Sequence, residues 1–212
     1  IAMAEEGGFL HAPDVYMEKI AVGGGLPDGI IDIDAPPAVA ERVLTEANVV
    51  FMFAPVMHPA MRHVGPVRRE LAVPTVMNVV GPLANPASAG RQVVGVAERE
   101  RLALLAGALA ALGSVHALVV HGEPGLDEIS PLGRTHVAEV RDGTIEEWTI
   151  DPAAHGFADV DPADLAGGDA AENARIIRDV LGGGGTHGAR AAVTLNAAAA
   201  LYVGRHAASF AD

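Results

Sequence analysis

The chain contains no cysteine, which excludes disulfide bonds, thiolate catalysis and cysteine-ligated metal sites. That absence is compatible with a reducing cytoplasm, where we expect the protein to act. Basic residues are also scarce, with 14 Lys and Arg against 27 Asp and Glu and a formal net charge of −13. Because this charge repels polyanions, we expect no broad contact with nucleic acid or membrane, and any anionic ligand has to meet a local basic patch.

Targeting and membrane-spanning segments are not visible either. The first six residues have neither a basic nor an apolar stretch of the kind that begins a signal peptide. Residues 102–120 carry no charged side chain, but Gly113-Ser114 divides them into an Ala-rich half and a β-branched half. This division predicts a buried helix followed by a buried strand rather than a membrane helix.

The 212 residues, half of them hydrophobic, suffice for one α/β domain. From residue 35 onward, short apolar runs alternate with helical patterns. A helix is predicted over residues 98–112 between strands at 92–97 and 115–121, which indicates a βαβ unit with parallel strands. Further strands are predicted at residues 49–53 and 73–80, and further helices at 38–47 and 191–203. The buried stripe of the 98–112 helix is predicted to be Leu102, Leu105, Leu109 and Leu112.

Two local signals mark turns and caps. Asp142-Gly143, between residues 135–141 and 144–150, is typical of a type I′ hairpin. Asp169 with Glu172 three residues later predicts a capping box and a helix that the glycines 182–185 end. Residues 1–34 are Gly-punctuated and weakly periodic, and we interpret them as an irregular remnant or connector that precedes an α/β domain at 35–212.

Three segments concentrate polar groups at the ends of predicted strands, where open α/β sheets bind ligands. The first, residues 54–70, contains His58 and three arginines, one of them Arg68. Paired guanidinium donors fit a carboxylate or phosphate, although an exposed helix face explains the cluster equally well. His58 and His63 are five residues apart, which is not the spacing for two zinc ligands on one helix face.

The second segment, around Gly81-Pro82, indicates a rigid turn and nothing more. The third, residues 121–130, carries Asp127 and Glu128 after a buried strand. Adjacent carboxylates on such a loop suit Mg²⁺, which takes one or two protein oxygens and shares substrate phosphates. Solvated loop acids are an equal alternative, since adjacent side chains in extended backbone point in opposite directions.

In this order and spacing, the three segments resemble the anthranilate phosphoribosyltransferases, which join anthranilate to phosphoribosyl pyrophosphate in tryptophan biosynthesis. The matching stretches are "FMFAPVMHPAMRHVGPVRREL", "PTVMNVVGPLANPA", "VVHGEPGLDEIS", "GGDAAENARIIRDVL" and "LNAAAALYVG". The resemblance implies an α/β fold with a mixed, largely parallel sheet wrapped by helices, as in the C-terminal domain of phosphoribosyltransferases and nucleoside phosphorylases. It also implies a transferase that requires Mg²⁺, and a homodimer formed through a small helical domain.

The resemblance also assigns roles to individual residues. Arg68 would bind the anthranilate carboxylate, and Asp127 and Glu128 would hold Mg²⁺ against the pyrophosphate. The side chains and backbone that would line the anthranilate pocket are those of Ala54, Pro55, His58, Met61 and Gly81.

The chain also departs from the family pattern. The early helical domain, the Gly-rich pyrophosphate loop and a Lys-His-Gly-Asn-type segment have no counterpart, and only Asp14-Val15 matches the family's Gly-Ser-Ala-Asp-Val pattern. We therefore expect a truncated chain that is inactive by itself. Two alternatives stay open: a non-catalytic paralogue that binds a ligand or nucleic acid, and a relative of the pyrimidine nucleoside phosphorylases. The net charge argues against the first, and "HPAMRHVGPVRREL" against the second.

Overall fold

The computed structural model describes residues 2–3, 15–17, 35–47, 49–50, 52, 54–58, 63–64, 67, 70, 80, 83–84 and 89–212. Of the strand predicted at residues 73–80, only Val80 is described, and it is helical. The rest of that prediction lies outside the described residues.

The described strands form one sheet in the order β3-β1-β2-β4-β5-β6-β7. The pairs β2–β4 and β4–β5 are parallel and the other four pairs are antiparallel. The predicted mixed sheet is thus confirmed, and among the strands that the structure describes its parallel part comprises the three neighbours β2, β4 and β5. The strands are β1 (Ala2–Met3), β2 (Val15–Met17), β3 (Val49–Val50), β4 (Arg91–Gly95), β5 (His116–Gly122), β6 (Thr135–Arg141) and β7 (Thr144–Ile150).

The described part of the chain contains α-helices and short 3₁₀ helices besides the strands. The α-helices are α1 (Pro37–Ala47), α2 (Ala54–Met57), α3 (Leu102–Ala111), α4 (Ala170–Leu181) and α5 (His187–Val203). Short 3₁₀ helices occupy Arg99–Arg101, Pro152–His155 and Pro162–Leu165. Within the described part of the chain, no helix has both the length and the hydropathy needed to cross a bilayer.

The strand β5 is buried on both faces, as expected for a central strand with parallel pairing. Ala117 and Val119 belong to an apolar cluster with α3, whereas Leu118 and Val120 belong to a second cluster with α5. Alternate residues of a strand point to opposite faces. The sheet therefore has a helix-covered core on each side.

The predicted βαβ unit is confirmed as β4, α3 and β5, with β4 and β5 parallel. Leu102, Leu105 and Leu109 are buried, but Leu112 is 66% exposed. The prediction for Leu112 was wrong because α3 ends at Ala111 and the chain turns into β5 at Gly113, which has φ 84°. The cap residue is left outside the packed layer.

Local turn and cap signals were accurate. The hairpin pairs Arg141 with Thr144, and Asp142 and Gly143 have φ of 50° and 81°, as a type I′ turn requires. The Asp169 side chain accepts a hydrogen bond from the backbone N–H of Glu172 at 2.9 Å. The Glu172 carboxylate pairs with Arg175 instead of closing the capping box. The last helix begins four residues earlier than predicted, because Thr186 caps it.

Candidate functional site

The candidate site lies where the parallel strands β4 and β5 end, at one edge of the sheet. The chain leaves β5 through a tight turn, in which the N–H of Gly122 donates to the Leu126 carbonyl at 2.9 Å. The N–H of Leu126 returns the bond to the Gly122 carbonyl at 2.6 Å. Residues 123–130 then form a loop beside this edge, the position at which open α/β sheets present groups to ligands.

The side chain of Asn196, on α5, clamps this loop. Its Oδ1 accepts from the Ile129 N–H at 3.0 Å, and its Nδ2 donates to the Ile129 carbonyl at 2.9 Å. Nδ2 also donates to the Ala192 carbonyl, one turn earlier in α5, at 2.9 Å. Because Ile129 is fully buried, both of its backbone groups need protein partners, and Asn196 supplies them.

Ser130 closes the base of the loop. Its N–H donates to Thr135 Oγ1 at 2.9 Å, and both residues are fully buried. Its hydroxyl donates to the Glu123 carbonyl and accepts from the Leu132 N–H at 3.0 Å. The two ends of the loop are therefore tied to each other as well as to α5.

Two glycines let the loop approach the strand ends. A Cβ at Gly95 would overlap with the Asp127 backbone, and a Cβ at Gly122 would lie 2.5 Å from the Glu128 carbonyl oxygen. Any side chain at either strand end would displace the loop. The backbone of Asp127 and Glu128 can therefore lie this close to the strand ends only because Gly95 and Gly122 have no side chain.

Asp127 and Glu128 are both half-buried, and each has an interaction partner in the structure. Hard carboxylate oxygens on an anchored loop are a donor set suited to Mg²⁺, which binds through one or two carboxylates and fills its other positions with water and substrate phosphates. Among the described residues, no group of three or more His, Asp or Glu side chains is arranged to hold a metal ion. Two carboxylates supply only part of the six oxygen ligands that such an ion takes.

Two histidines that the sequence did not single out stand at this edge. His121 Nδ1 is 2.9 Å from the Val96 carbonyl, which can only accept, so Nδ1 is the donor of this hydrogen bond. His136 Nε2 is 3.3 Å from Glu123 Oε1. Their position at the ends of strands could have marked them as candidate site residues in the sequence. Their contacts could not be predicted, because the partners are distant in the sequence.

A group of residues with shifted pKa values surrounds Glu139, toward the opposite end of the central strands. Its carboxylate is bonded by His116 Nε2 and Arg141 Nη2 at 2.8 Å, Tyr202 OH at 2.9 Å and Trp148 Nε1 at 2.8 Å. Burial raises the pKa of Glu139, but the Tyr202 and His116 hydrogen bonds and the Arg141 charge outweigh it and hold the pKa below 4.5. Burial lowers the pKa of His116, more than its bond to Glu139 raises it. His116 is therefore the neutral donor to an ionised Glu139.

The anthranilate pocket predicted from the sequence falls largely on residues outside the described ones. Arg68, Met61 and Gly81 are among these. Ala54 and Pro55 form the start of α2, and His58 is half-buried directly after that helix. The metal pair and the pocket residues thus stay predictions, with the loop geometry above as the described part of the site.

Comparison with known proteins assigns the fold. The family described as "Glycosyl transferase family, a/b domain" matches residues 26–212. The chain belongs to this glycosyl transferase family. A second family, the glpX-encoded bacterial fructose-1,6-bisphosphatases, matches residues 1–50.

Within the family, the chain is similar to anthranilate phosphoribosyltransferases, which confirms the resemblance seen in the sequence. It is 53% identical over 171 residues to that of Anaeromyxobacter sp. and 49% identical over 180 residues to that of Rubrobacter xylanophilus. These matches cover 81% and 85% of this chain but 50% and 53% of the relatives. The chain therefore spans about half the length of the curated relatives it matches.

Solved structures of the same enzyme share the fold. That from Thermus thermophilus is 42% identical with a TM-score of 0.78, covering 85% of this chain and 53% of the other. That from Saccharomyces cerevisiae in complex with PRPP and Mg is 28% identical with a TM-score of 0.76, covering 85% and 52%. The chain thus shares its α/β architecture with these two anthranilate phosphoribosyltransferase structures.

Proposed function

We propose that the chain carries the anthranilate-binding and Mg²⁺-binding part of an anthranilate phosphoribosyltransferase, which transfers the phosphoribosyl group of phosphoribosyl pyrophosphate to anthranilate in tryptophan biosynthesis. The observation that carries this proposal is the anchored loop with Asp127 and Glu128, in a chain about half identical to such enzymes over their shared part. The yeast relative solved with PRPP and Mg supports the same ligands here.

The reaction makes different demands on the Mg²⁺-binding part and the anthranilate-binding part of the proposed site. The amine nitrogen of anthranilate forms a bond to the anomeric carbon of the ribose, the bond to the pyrophosphate oxygen breaks, and the amine releases a proton. Negative charge builds on the leaving group, and Mg²⁺, when bound, would stabilise it. Asp127 and Glu128 are the residues that would hold that ion. The neutral amine needs mainly orientation, which Arg68 would provide through the anthranilate carboxylate.

We also propose a domain boundary near residue 34, with the transferase domain at 35–212. The match of residues 1–50 to a bisphosphatase family supports an origin for residues 1–34 outside the transferase. This origin competes with the interpretation of Asp14-Val15 as a remnant of a transferase loop. The described strands β1 and β2 nevertheless join the sheet.

The cellular setting follows from the same proposal. A cysteine-free chain of a biosynthetic transferase fits a cytoplasmic reaction. We propose a homodimer only for a protein that also contains the helical domain found in this enzyme family. Small-molecule substrates, rather than nucleic acid, fit the net charge of −13.

Anthranilate binding tests the proposal most directly. Titration of the 212-residue chain with anthranilate should show binding, and Arg68→Lys should weaken it by about 1.5–3 kcal/mol, the usual scale for a charge-assisted hydrogen bond. Arg69→Lys is the matched control and should bind as the unmodified chain does. Equal losses at the two positions, or no anthranilate binding at all, would refute the assignment of this pocket.

Turnover is the second measurement. Because the chain lacks counterparts of the Gly-rich pyrophosphate loop and the Lys-His-Gly-Asn-type segment, the chain with Mg²⁺, anthranilate and phosphoribosyl pyrophosphate should form negligible product. Measurable turnover would show that residues 1–34 or other parts of this chain supply the missing contacts.

A further inference from the structure

A second cleft lies at the edge of the sheet opposite the loop of Asp127 and Glu128. It has a volume of about 500 Å³ and forms where β4 and β5 begin, β6 ends and α5 ends. Three arginines line it, namely Arg91, Arg141 and Arg205. It is thus separated from the candidate transferase site by the length of the central strands.

The charge of this cleft contrasts with that of the chain. The lining contains three of the thirteen arginines, with Asp142 as its carboxylate and Glu139 in contact with Arg141 behind it. Counting these five groups gives a local charge of +1, from +3 − 2, in a chain whose formal net charge is −13. A basic patch of this kind is what an anionic ligand requires on an otherwise acidic protein.

Two of the arginines are held in place by the fold. Arg141 Nη2 bonds to Glu139 Oε1 at 2.8 Å and to the Tyr202 hydroxyl, while its Nε and Nη1 have no hydrogen bond to any described residue. Arg91 Nη1 donates to the Val203 carbonyl at 2.7 Å. That bond offsets the partial negative charge at the end of α5, which would otherwise disfavour an anion in the cleft.

The third arginine is in an unfavourable backbone conformation. Arg205 has φ 64°, a left-handed conformation that favours glycine, and it directly follows Gly204 at the end of α5. Its side chain is exposed and has no hydrogen bond or ion pair within the part of the chain that the structure describes. This conformation closes the C-terminal cap of α5, in which the N–H of Arg205 donates to the Tyr202 carbonyl at 3.1 Å and the N–H of His206 donates to the Leu201 carbonyl at 2.9 Å. The cap therefore fixes the backbone of Arg205 beside the cleft.

We propose that this cleft binds a small phosphate-bearing anion between the guanidinium groups of Arg141 and Arg205. Guanidinium forks match phosphate oxygens with paired N–H donors, and Arg141 is already fixed through Nη2, which leaves its Nε and Nη1 without a hydrogen bond to any described residue. The site is independent of the transferase assignment, because it uses none of the residues of the Asp127 loop.

Calorimetric titration of the 212-residue chain with inorganic phosphate at low ionic strength tests this proposal. Arg205→Ala should weaken phosphate binding about tenfold or more, as loss of one charge-assisted bond implies. Arg178→Ala is the matched control, because Arg178 is an exposed arginine near the end of another helix, and it should leave the affinity unchanged.

A second variant separates binding from folding. Arg205→Gly relieves the left-handed strain, so it should raise the melting temperature while weakening phosphate binding as Arg205→Ala does. Acetate, titrated in parallel, should bind more weakly than phosphate. Equal affinities of the Arg205→Ala and Arg178→Ala variants, no phosphate binding at 10 mM, or tighter binding of acetate would each overturn the proposal.

Discussion

Gly95, the last residue of β4, packs so closely against Asp127 that a Cβ at position 95 would overlap with the carbonyl group of Asp127. A strand end and a loop thirty-two residues later in the sequence are therefore in direct backbone contact. This contact makes the position of the acidic loop depend on a residue that has no functional group.

Gly95→Ala should therefore destabilise the protein and displace the loop. Forcing a methyl group into a packed region costs about 1–3 kcal/mol, measurable as a lower free energy of unfolding in urea. The control is Gly107→Ala in α3, where a Cβ would meet nothing within 4 Å. That variant should gain about 0.5–1 kcal/mol, because alanine is favoured over glycine within a helix. Equal effects at the two positions would contradict the close contact.

Asn196→Ala should release the loop from α5. Both backbone groups of the buried Ile129 would lose their partner, at a cost of about 1–3 kcal/mol, and the Ile129 amide should exchange its hydrogen faster. Asn173 offers a comparison, since its side chain bridges the N–H and carbonyl of Gly168 in an exposed position. Asn173→Ala should cost less, because water replaces the lost bonds. Unchanged exchange at Ile129 would show that Asn196 does not hold the loop.

Stability should fall on acidification in two steps. The lowered pKa of His116 means that the unfolded chain takes up a proton first below pH 6.5, so this contribution is present above pH 6.5 and lost below it. The lowered pKa of Glu139 gives a contribution present above pH 4.5 and lost as the pH falls through the lowered value.

Melting temperatures from pH 7.5 to pH 4 would measure the first step and the onset of the second. His116→Gln keeps a donor to Glu139 but cannot titrate, so its melting temperature should change less between pH 7 and pH 5 than that of the unmodified chain. Parallel curves for the two proteins over that interval would assign the acid sensitivity to other groups.

Replacing Asp127 by Asn and Glu128 by Gln should weaken Mg²⁺ binding in the presence of pyrophosphate by about tenfold or more, since both of the charged ligands that we propose are lost. Glu146 and Glu147 provide the control, because they are also adjacent carboxylates and are exposed on β7. Their double Gln variant should bind Mg²⁺ unchanged. Equal losses would reduce Asp127 and Glu128 to general acidic surface.

Features determined by neighbouring residues were predictable from the sequence. The strands of the Asp142-Gly143 hairpin were predicted at their observed limits, because two residues that tolerate positive φ fix the turn and the register follows from it. Similarly, the limits of β4 and β5 differ by one or two residues from the predicted ones. The family resemblance, in turn, rested on whole motifs rather than on periodicity.

Features determined by distant residues were not predictable in the same way. The bond between Asn196 and Ile129 joins residues 67 positions apart. No sequence pattern singled out Glu139, yet it is only 8% exposed and is bonded by side chains from β5, β7 and α5. Both cases depend on how α5 lies against the sheet, which no local pattern specifies.

Among the described strands, β7 ends the sheet on one side, and its outer edge affects how copies of the chain meet. An open strand edge is a template for further strand pairing and hence for aggregation. Here Glu146 and Glu147 are exposed along that edge. If two copies paired through their β7 strands, these carboxylates would lie close together and repel each other. The acidic side chains therefore oppose edge-to-edge pairing of sheets from two copies.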